Sequence, residues 1–152
     1  VVKLHIGCEN NPIEGYDNID LYCGPIKMSM EKLEYADNSV SEILSNHTLE
    51  HTEYHKTLAV LKEWYRVLKP GGRLKLSVPD MEKLFMLWLR DDIDSYWYRG
   101  IWGRQARKGD YHFTGFTRSK IKNYLLKAGF KNIKFTDYND RPTPTIKLEA
   151  IK

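Results

Sequence analysis

Val67-Leu68-Lys69-Pro70-Gly71-Gly72-Arg73-Leu74 is the stretch that decides the fold. Upstream of it, from about Glu53 to Leu68, the apolar residues Leu58, Leu61, Tyr65 and Leu68 recur at helical spacing and predict an amphipathic helix. Pro70 cannot continue a helix and the glycines after it supply a positive-φ exit, so Lys69–Gly72 stops that helix. Downstream, Arg73–Val78 alternates, with Leu74, Leu76 and Val78 on one face, and reads as a strand.

Working outward, the same alternation of elements continues. Val1–Ile6 reads as a short strand ending at Gly7, Asp17–Leu21 as a second, and Ser41–Ser45 as a third after the polar turn Asp37-Asn38-Ser39. Asp80 is a candidate N-cap for a helix carrying Met81, Leu84, Phe85 and Trp88 on one stripe. Ser95–Phe116 shows no regular period. Thr117 is placed to cap a last helix with Ile121, Tyr124, Leu125 and Ala128 inward, which Gly129 stops. Lys131–Thr136 and Thr145–Ile151 read as two closing strands joined by a loop. Strands separated by helices imply βαβ units and a mostly parallel sheet, with an antiparallel hairpin at its C-terminal edge. One crossover breaks the pattern. Between the first two strands, Asn10–Asp17 contains Pro12 and Gly15 and no helical period, where a normal crossover wants a dozen or more residues and usually a helix. The first crossover helix is therefore expected to be reduced to a loop or a single turn.

Composition agrees with one α/β domain spanning residues 1–152. The chain is 41% hydrophobic and 29% charged, which is globular rather than disordered. Lys and Arg total 24 against 20 Asp and Glu, a formal charge of +4 that tolerates an anionic ligand. Without a dense basic block, nucleic acid is not the expected partner. Cys8 and Cys23 lie outside any metal-binding spacing and cannot build a disulfide framework, which points to a reducing cytoplasm. No apolar run approaches membrane-span length, and no membrane partner is expected. The chain opens on Val1 with a strand-like run and no initiator Met, which leaves room for an upstream segment.

Three stretches, taken in order, carry a resemblance. They are Lys3-Leu4-His5-Ile6-Gly7-Cys8 with Asp20 at the end of the second strand, then Leu49-Glu50-His51 after the third strand, then Val67–Leu74 running into a strand that ends Val78-Pro79-Asp80. Gly129-Phe130 after the last helix and the closing strands fit as well. Together they resemble the class I S-adenosylmethionine-dependent methyltransferases, over nearly the whole chain. The similarity is closest to the small, type 11-like members found among sugar and cell-surface biosynthesis proteins. The fold this implies is a Rossmann-like methyltransferase fold, and the implied cofactor is S-adenosyl-L-methionine.

The resemblance places the cofactor beyond the carboxyl ends of the strands, where strand order reverses. It implies a binding set of Gly7, Cys8, Glu9 and Asn10 in the first loop, Asp20 and Leu21 at the ribose, Met30 and Glu31 near the adenine, and Asn46 and His47 toward the methionine and sulfonium. The family often has an acidic side chain facing the adenine amine; here Ser29 stands at that position, with Glu31 nearby. A solvated strand end for Asp20 and a surface loop for His47 are the plainer alternatives. A dinucleotide pyrophosphate needs the N-terminus of the first crossover helix, whereas S-adenosylmethionine carries no phosphate. The shortened crossover thus argues against NAD or FAD more than against a methyl donor, and leaves the methionine carboxylate to loop amides.

Methyl transfer requires alignment of nucleophile, methyl and sulfur, and a hydroxyl nucleophile gains from a general base. His51 and His112 are the candidate catalytic bases, with His55 a weaker third; for each one taken alone, an ordinary structural or surface histidine is the plainer reading. No metal ligand set is expected. The stretch Tyr96–Phe116 mixes rings (Trp97, Tyr98, Trp102, Tyr111, Phe113) with Arg99, Arg104, Arg107 and Lys108. Such a mixture suits a small-molecule or glycan-related acceptor, although rings that merely cover the sheet give the same pattern. A non-catalytic binding domain of the same fold and an RNA methyltransferase remain alternatives. The oligomeric state is not readable from the sequence.

Overall fold

The computed structural model describes residues 1–90, 95–136 and 143–152, the side chains of residues 95 and 96 excepted. Seven strands form one sheet in the order β3-β2-β1-β4-β5-β7-β6. They are β1 (Val2–Ile6), β2 (Asp17–Asp20), β3 (Ile26–Lys27), β4 (Val40–Asn46), β5 (Leu68–Pro79), β6 (Lys131–Thr136) and β7 (Thr145–Ile151). The chain builds outward from β1 to β3 and then returns to lay β4 on the other side of β1, and all of these pairings are parallel. The reversal between β1 and β4 opens a crevice at the carboxyl ends of the central strands, the usual ligand position in open α/β sheets. β7 runs antiparallel to both β5 and β6, so the expected hairpin is real, but β7 is inserted inside the sheet and β6 forms the edge.

Four helices accompany the sheet: α1 (Thr57–Val67), α2 (Met81–Leu89), α3 (Ser95–Trp102) and α4 (Arg118–Ala128). Helix α1 ends at Val67, immediately before Lys69-Pro70-Gly71-Gly72, as expected, but that segment belongs to β5 rather than to a separate turn. The helix also begins later than the period suggested, because Leu49–His51 forms a separate 3₁₀ turn. Its buried face is Val60, Leu61, Trp64 and Val67, with Leu58 and Tyr65 only partly covered. The stripe is rotated because Trp64 fills the core and donates its indole N–H to the Met30 carbonyl at 3.0 Å. In α2 the Asp80 cap is present, accepting from the Lys83 N–H, but Phe85 is exposed and Leu84 alone is buried. Helix α4 follows expectation, with the Thr117 cap and Ile121, Leu125 and Ala128 buried against α1 and the sheet. The stretch read as irregular contains α3, and the two-residue β3 was not anticipated.

The first crossover has no helix, as the Asn10–Asp17 composition indicated. Asn18 holds it instead. Its side-chain oxygen accepts from the Ile13 N–H at 2.8 Å, and its amide donates to the Ile13 and Tyr16 carbonyls, both at 2.9 Å. His5 Nδ1 lies 3.0 Å from the same oxygen, and the Tyr16 hydroxyl donates to Glu42 on β4. One asparagine thus satisfies the loop's backbone groups, a task a helix would otherwise perform internally.

Candidate active site

Gly7 ends β1 with φ +76 and donates its N–H to the Ile19 carbonyl at 2.8 Å. A Cβ at this position would lie 2.0 Å from Thr48 Oγ1, so the loops after β1 and β4 approach more closely than any side chain permits. This contact draws the carboxyl ends of the central strands together. Asp20, at the end of β2, accepts from the Tyr22 and Cys23 N–H groups through Oδ1 at 2.8 and 2.9 Å, and from the Glu9 N–H through Oδ2 at 3.1 Å. Burial pushes its carboxyl pKa up, but these three amides outweigh burial and hold it below the usual carboxylate range. Asp20 is therefore a fixed, ionised acceptor with lone-pair capacity left on Oδ2.

A cavity of about 370 Å³ opens beside it, within the usual range for small-molecule sites. Gly7, Glu9, Asp20, Leu21, Met30, Glu31 and His47, all expected at the cofactor, line it together with Ser29. Ile19 and Met28 extend its apolar wall, and Tyr111 and Phe113 close it from the opposite side. Gly109 (φ +94) sits against Tyr22, whose ring would be 2.4 Å from an added Cβ. Three expected residues lie outside it. Asn10 is exposed and borders no cavity, and the Asn46 side chain accepts from the Ser77 hydroxyl at 3.0 Å outside this cavity. Cys8 is buried beneath the loop, where burial raises its thiol pKa; it does not line the first cavity.

A second cavity, of about 520 Å³, adjoins the first. The two share Gly7, Glu9, His47, His51 and Asp110. The second adds His5, Cys8, Asn46, Arg99, Arg104 and His112. Glu9 ties the walls together: it accepts from Arg104 and lies 3.4 Å from Arg107, and both arginines also reach Asp110. Arg107, Arg104 and Asp110 were not singled out as a unit in the sequence, because their partner Glu9 is about 100 residues away.

Of the candidate bases, His51 lies in the shared region and His112 borders the second cavity, and backbone hydrogen bonds bring the two side by side. The Glu50 carbonyl accepts from the Phe113 and Thr114 N–H groups at 2.9 and 3.1 Å, and the Thr114 hydroxyl donates to the Thr52 carbonyl at 2.7 Å. This lacing brings His112 edge-on to His51, with ring centroids 4.7 Å apart. His112 is mostly buried; burial lowers its pKa, with Glu50 acting in the opposite sense. His55 is exposed beside Glu53 and borders neither cavity. Among the described aromatic side chains of Trp97–Phe116, only Phe116 is fully buried, whereas Tyr98, Trp102, Tyr111 and Phe113 keep between 43% and 57% of their surface exposed, so covering the sheet does not explain this stretch. The Tyr96 side chain lies outside the described residues.

The donor set of the first cavity fits an adenosyl cofactor without phosphates. It offers an ionised carboxylate at the strand-order reversal, apolar and thioether walls, and no crossover helix to seat a pyrophosphate. Comparison with known proteins points the same way. Residues 9–76 match the family model described as a methyltransferase domain. No curated protein matches the sequence. Among solved structures, a S-adenosylmethionine-dependent methyltransferase from Thermotoga maritima, described as a possible histamine N-methyltransferase, superposes with TM-score 0.69 at 18% identity, over 99% of this chain and 82% of that one. A Methanosarcina mazei S-adenosylmethionine-dependent methyltransferase gives TM-score 0.66 at 19% identity, over 98% and 89% of the two chains. The 1,6-didemethyltoxoflavin-N1-methyltransferase of Burkholderia thailandensis, solved with bound 1,6-didemethyltoxoflavin and S-adenosylhomocysteine, gives 0.69 at 16% identity, over 99% and 70%. The match over residues 9–76 and the superposed structures together show that the chain has the Rossmann-like methyltransferase fold.

Proposed function

We propose that this protein transfers a methyl group from S-adenosylmethionine, held in the first cavity, to a small-molecule or glycan-related acceptor held in the second. The observation that carries the reading is the junction of the two cavities at Gly7, Glu9, His47, His51 and Asp110. A two-substrate displacement needs two pockets that meet where donor and acceptor atoms line up. When bound, the cofactor supplies an electrophilic methyl on a sulfonium. The chain's own residues do the rest. Asp20 holds ribose hydroxyls with an oxygen that is already oriented and ionised. Ile19, Met28 and Met30 give the adenine an apolar wall, and Gly7 leaves room for close backbone approach. Arg99 and Arg104, the latter shared with Glu9 and Asp110, bring guanidinium groups to the second cavity that suit a carboxylate, phosphate or sugar acid on the acceptor. His51 and His112 flank the space where the nucleophile stands.

Calorimetric titration with S-adenosylhomocysteine tests the first half of this reading. Binding at micromolar concentration is expected, and no heat and no thermal shift at about millimolar ligand would remove the enzyme reading. Release of S-adenosylhomocysteine across a panel of hydroxylated, carboxylated and phosphorylated small molecules tests the second half. Turnover only with RNA would move the acceptor to a different class.

A further inference from the structure

Glu50 is the one group at the site that this chemistry leaves unexplained. It is 1% exposed, and neither carboxylate oxygen has a hydrogen-bond partner. A buried, ionised carboxylate without partners costs several kcal/mol, so something must compensate it. Around it stand imidazoles. His47 Nδ1 is 3.3 Å from Oε1 and His112 Nε2 is 3.9 Å from the same oxygen. One ligand atom from each of Glu50, His51 and His112 lies within 4.8 Å of the others.

The two rings are also oriented in a particular way. His51 Nδ1 is 2.9 Å from the Tyr111 carbonyl and His112 Nδ1 is 3.1 Å from the Gly100 carbonyl. A carbonyl only accepts, so each Nδ1 carries the proton and each Nε2 presents its lone pair. Imidazoles that ligate metals are held in this way, with the second ring nitrogen donated to a backbone carbonyl or carboxylate. We infer that Glu50, His51 and His112 form a binding site for a divalent transition-metal ion, zinc or a close analogue, at the wall of the second cavity. Two imidazoles and one carboxylate are a donor set that suits zinc with a coordination position left open. Metal–ligand bonds of about 2.0–2.2 Å place neighbouring ligands about 3.3 Å apart, so binding draws the three groups together. His51 and His112 both border the second cavity, and the open position is reached from there. Binding of the ion is independent of methyl transfer. Its service to an acceptor oxygen, by coordinating it beside the cofactor cavity, rests on the function proposed above.

The test is a metal titration of chelator-stripped full-length protein, followed by calorimetry for Zn²⁺ and visible absorption for Co²⁺. One equivalent of Zn²⁺ is expected to bind, and Co²⁺ is expected to give d–d bands of a low-coordinate nitrogen and oxygen site. Glu50→Gln, His51→Ala and His112→Ala should each weaken Zn²⁺ by about 10- to 100-fold or more. His55→Ala, which alters an exposed histidine outside the cluster, should leave it unchanged. No stoichiometric binding to the stripped wild type at about 100 μM Zn²⁺ overturns the inference, since physiological sites are far tighter. So does Zn²⁺ binding that survives both histidine substitutions; Glu50 would then be compensated by protons on its imidazoles alone. If Glu50→Gln does not fold, the two histidine variants and the cobalt spectrum still decide. S-adenosylhomocysteine titration of the same metal-free wild type tests the cofactor cavity separately, so the two readings fail independently.

Discussion

The two cavities are assembled in different ways. The first draws most of its wall from one short run of chain, residues 6–31, which forms the ends of β1 and β2 and the loops that follow them. The second is built from His5, Asn46, Arg99, Arg104, His112 and Thr143, which come from four widely separated parts of the chain. The contrast suits their proposed tasks. A cofactor is constant, and its pocket is coded locally at the switch point that the sheet topology dictates. An acceptor pocket held on α3 and the following loop can change without disturbing the strands.

The largest effect that would break this comparison is expected at Asp20. Asp20→Ala should weaken S-adenosylhomocysteine by about 100-fold, since each hydrogen bond to a charged group contributes roughly 1.5–3 kcal/mol. A change of less than about threefold by calorimetry would mean that the first cavity is not the cofactor site. Next in size is Gly7→Ala. The positive φ and the contact with Thr48 predict a loss of about 2–4 kcal/mol in chemical denaturation. Asn18→Ala should cost about 1–3 kcal/mol by leaving loop donors and acceptors without partners. It should also perturb the second cavity through His5 more than the first, a difference readable in ligand titrations of each.

The smallest expected effect is in acid. Asp20 has a depressed folded-state pKa, so its contribution is present above the ordinary carboxylate range and is lost as pH falls through the folded value. The stability gap between wild type and Asp20→Asn should therefore be widest at neutral pH and narrow below about pH 4. A gap independent of pH would show that the three amides do not hold the ionised form.

Much of this was legible in the chain because its causes are local. Alternating strands, the Lys69–Gly72 stop, the Asp80 and Thr117 caps and the missing first crossover helix each depend on residues within a few positions of one another. Seven of the ten expected cofactor residues border the first cavity for the same reason: they sit at strand ends, where the topology must place them. The failures are equally instructive. The face of α1 was misjudged because Trp64 is claimed by the core and by the Met30 carbonyl, some 30 residues earlier. Asn46 was expected at the sulfonium, but Ser77 on the neighbouring strand captures its side chain. Helix α3 was hidden because Tyr98 and Trp102 keep much of their surface exposed rather than forming one buried stripe.

By itself, the sequence determined the order of the elements other than β3 and α3, the parallel sheet with its reversed last strand, and a carboxylate at the end of β2. Periodicity, caps and breakers act over a single turn or a strand pair, and they leave a readable trace in a linear chain. Only the tertiary structure decided that Glu50 would be buried without hydrogen-bond partners, that His112 would come to lie against His51, and that Glu9 would be tied to Arg104 and Arg107. Those contacts join residues 60 to about 100 positions apart. They exist because backbone hydrogen bonds from Phe113 and Thr114 to Glu50 dock one loop on another, and no local rule announces such a docking.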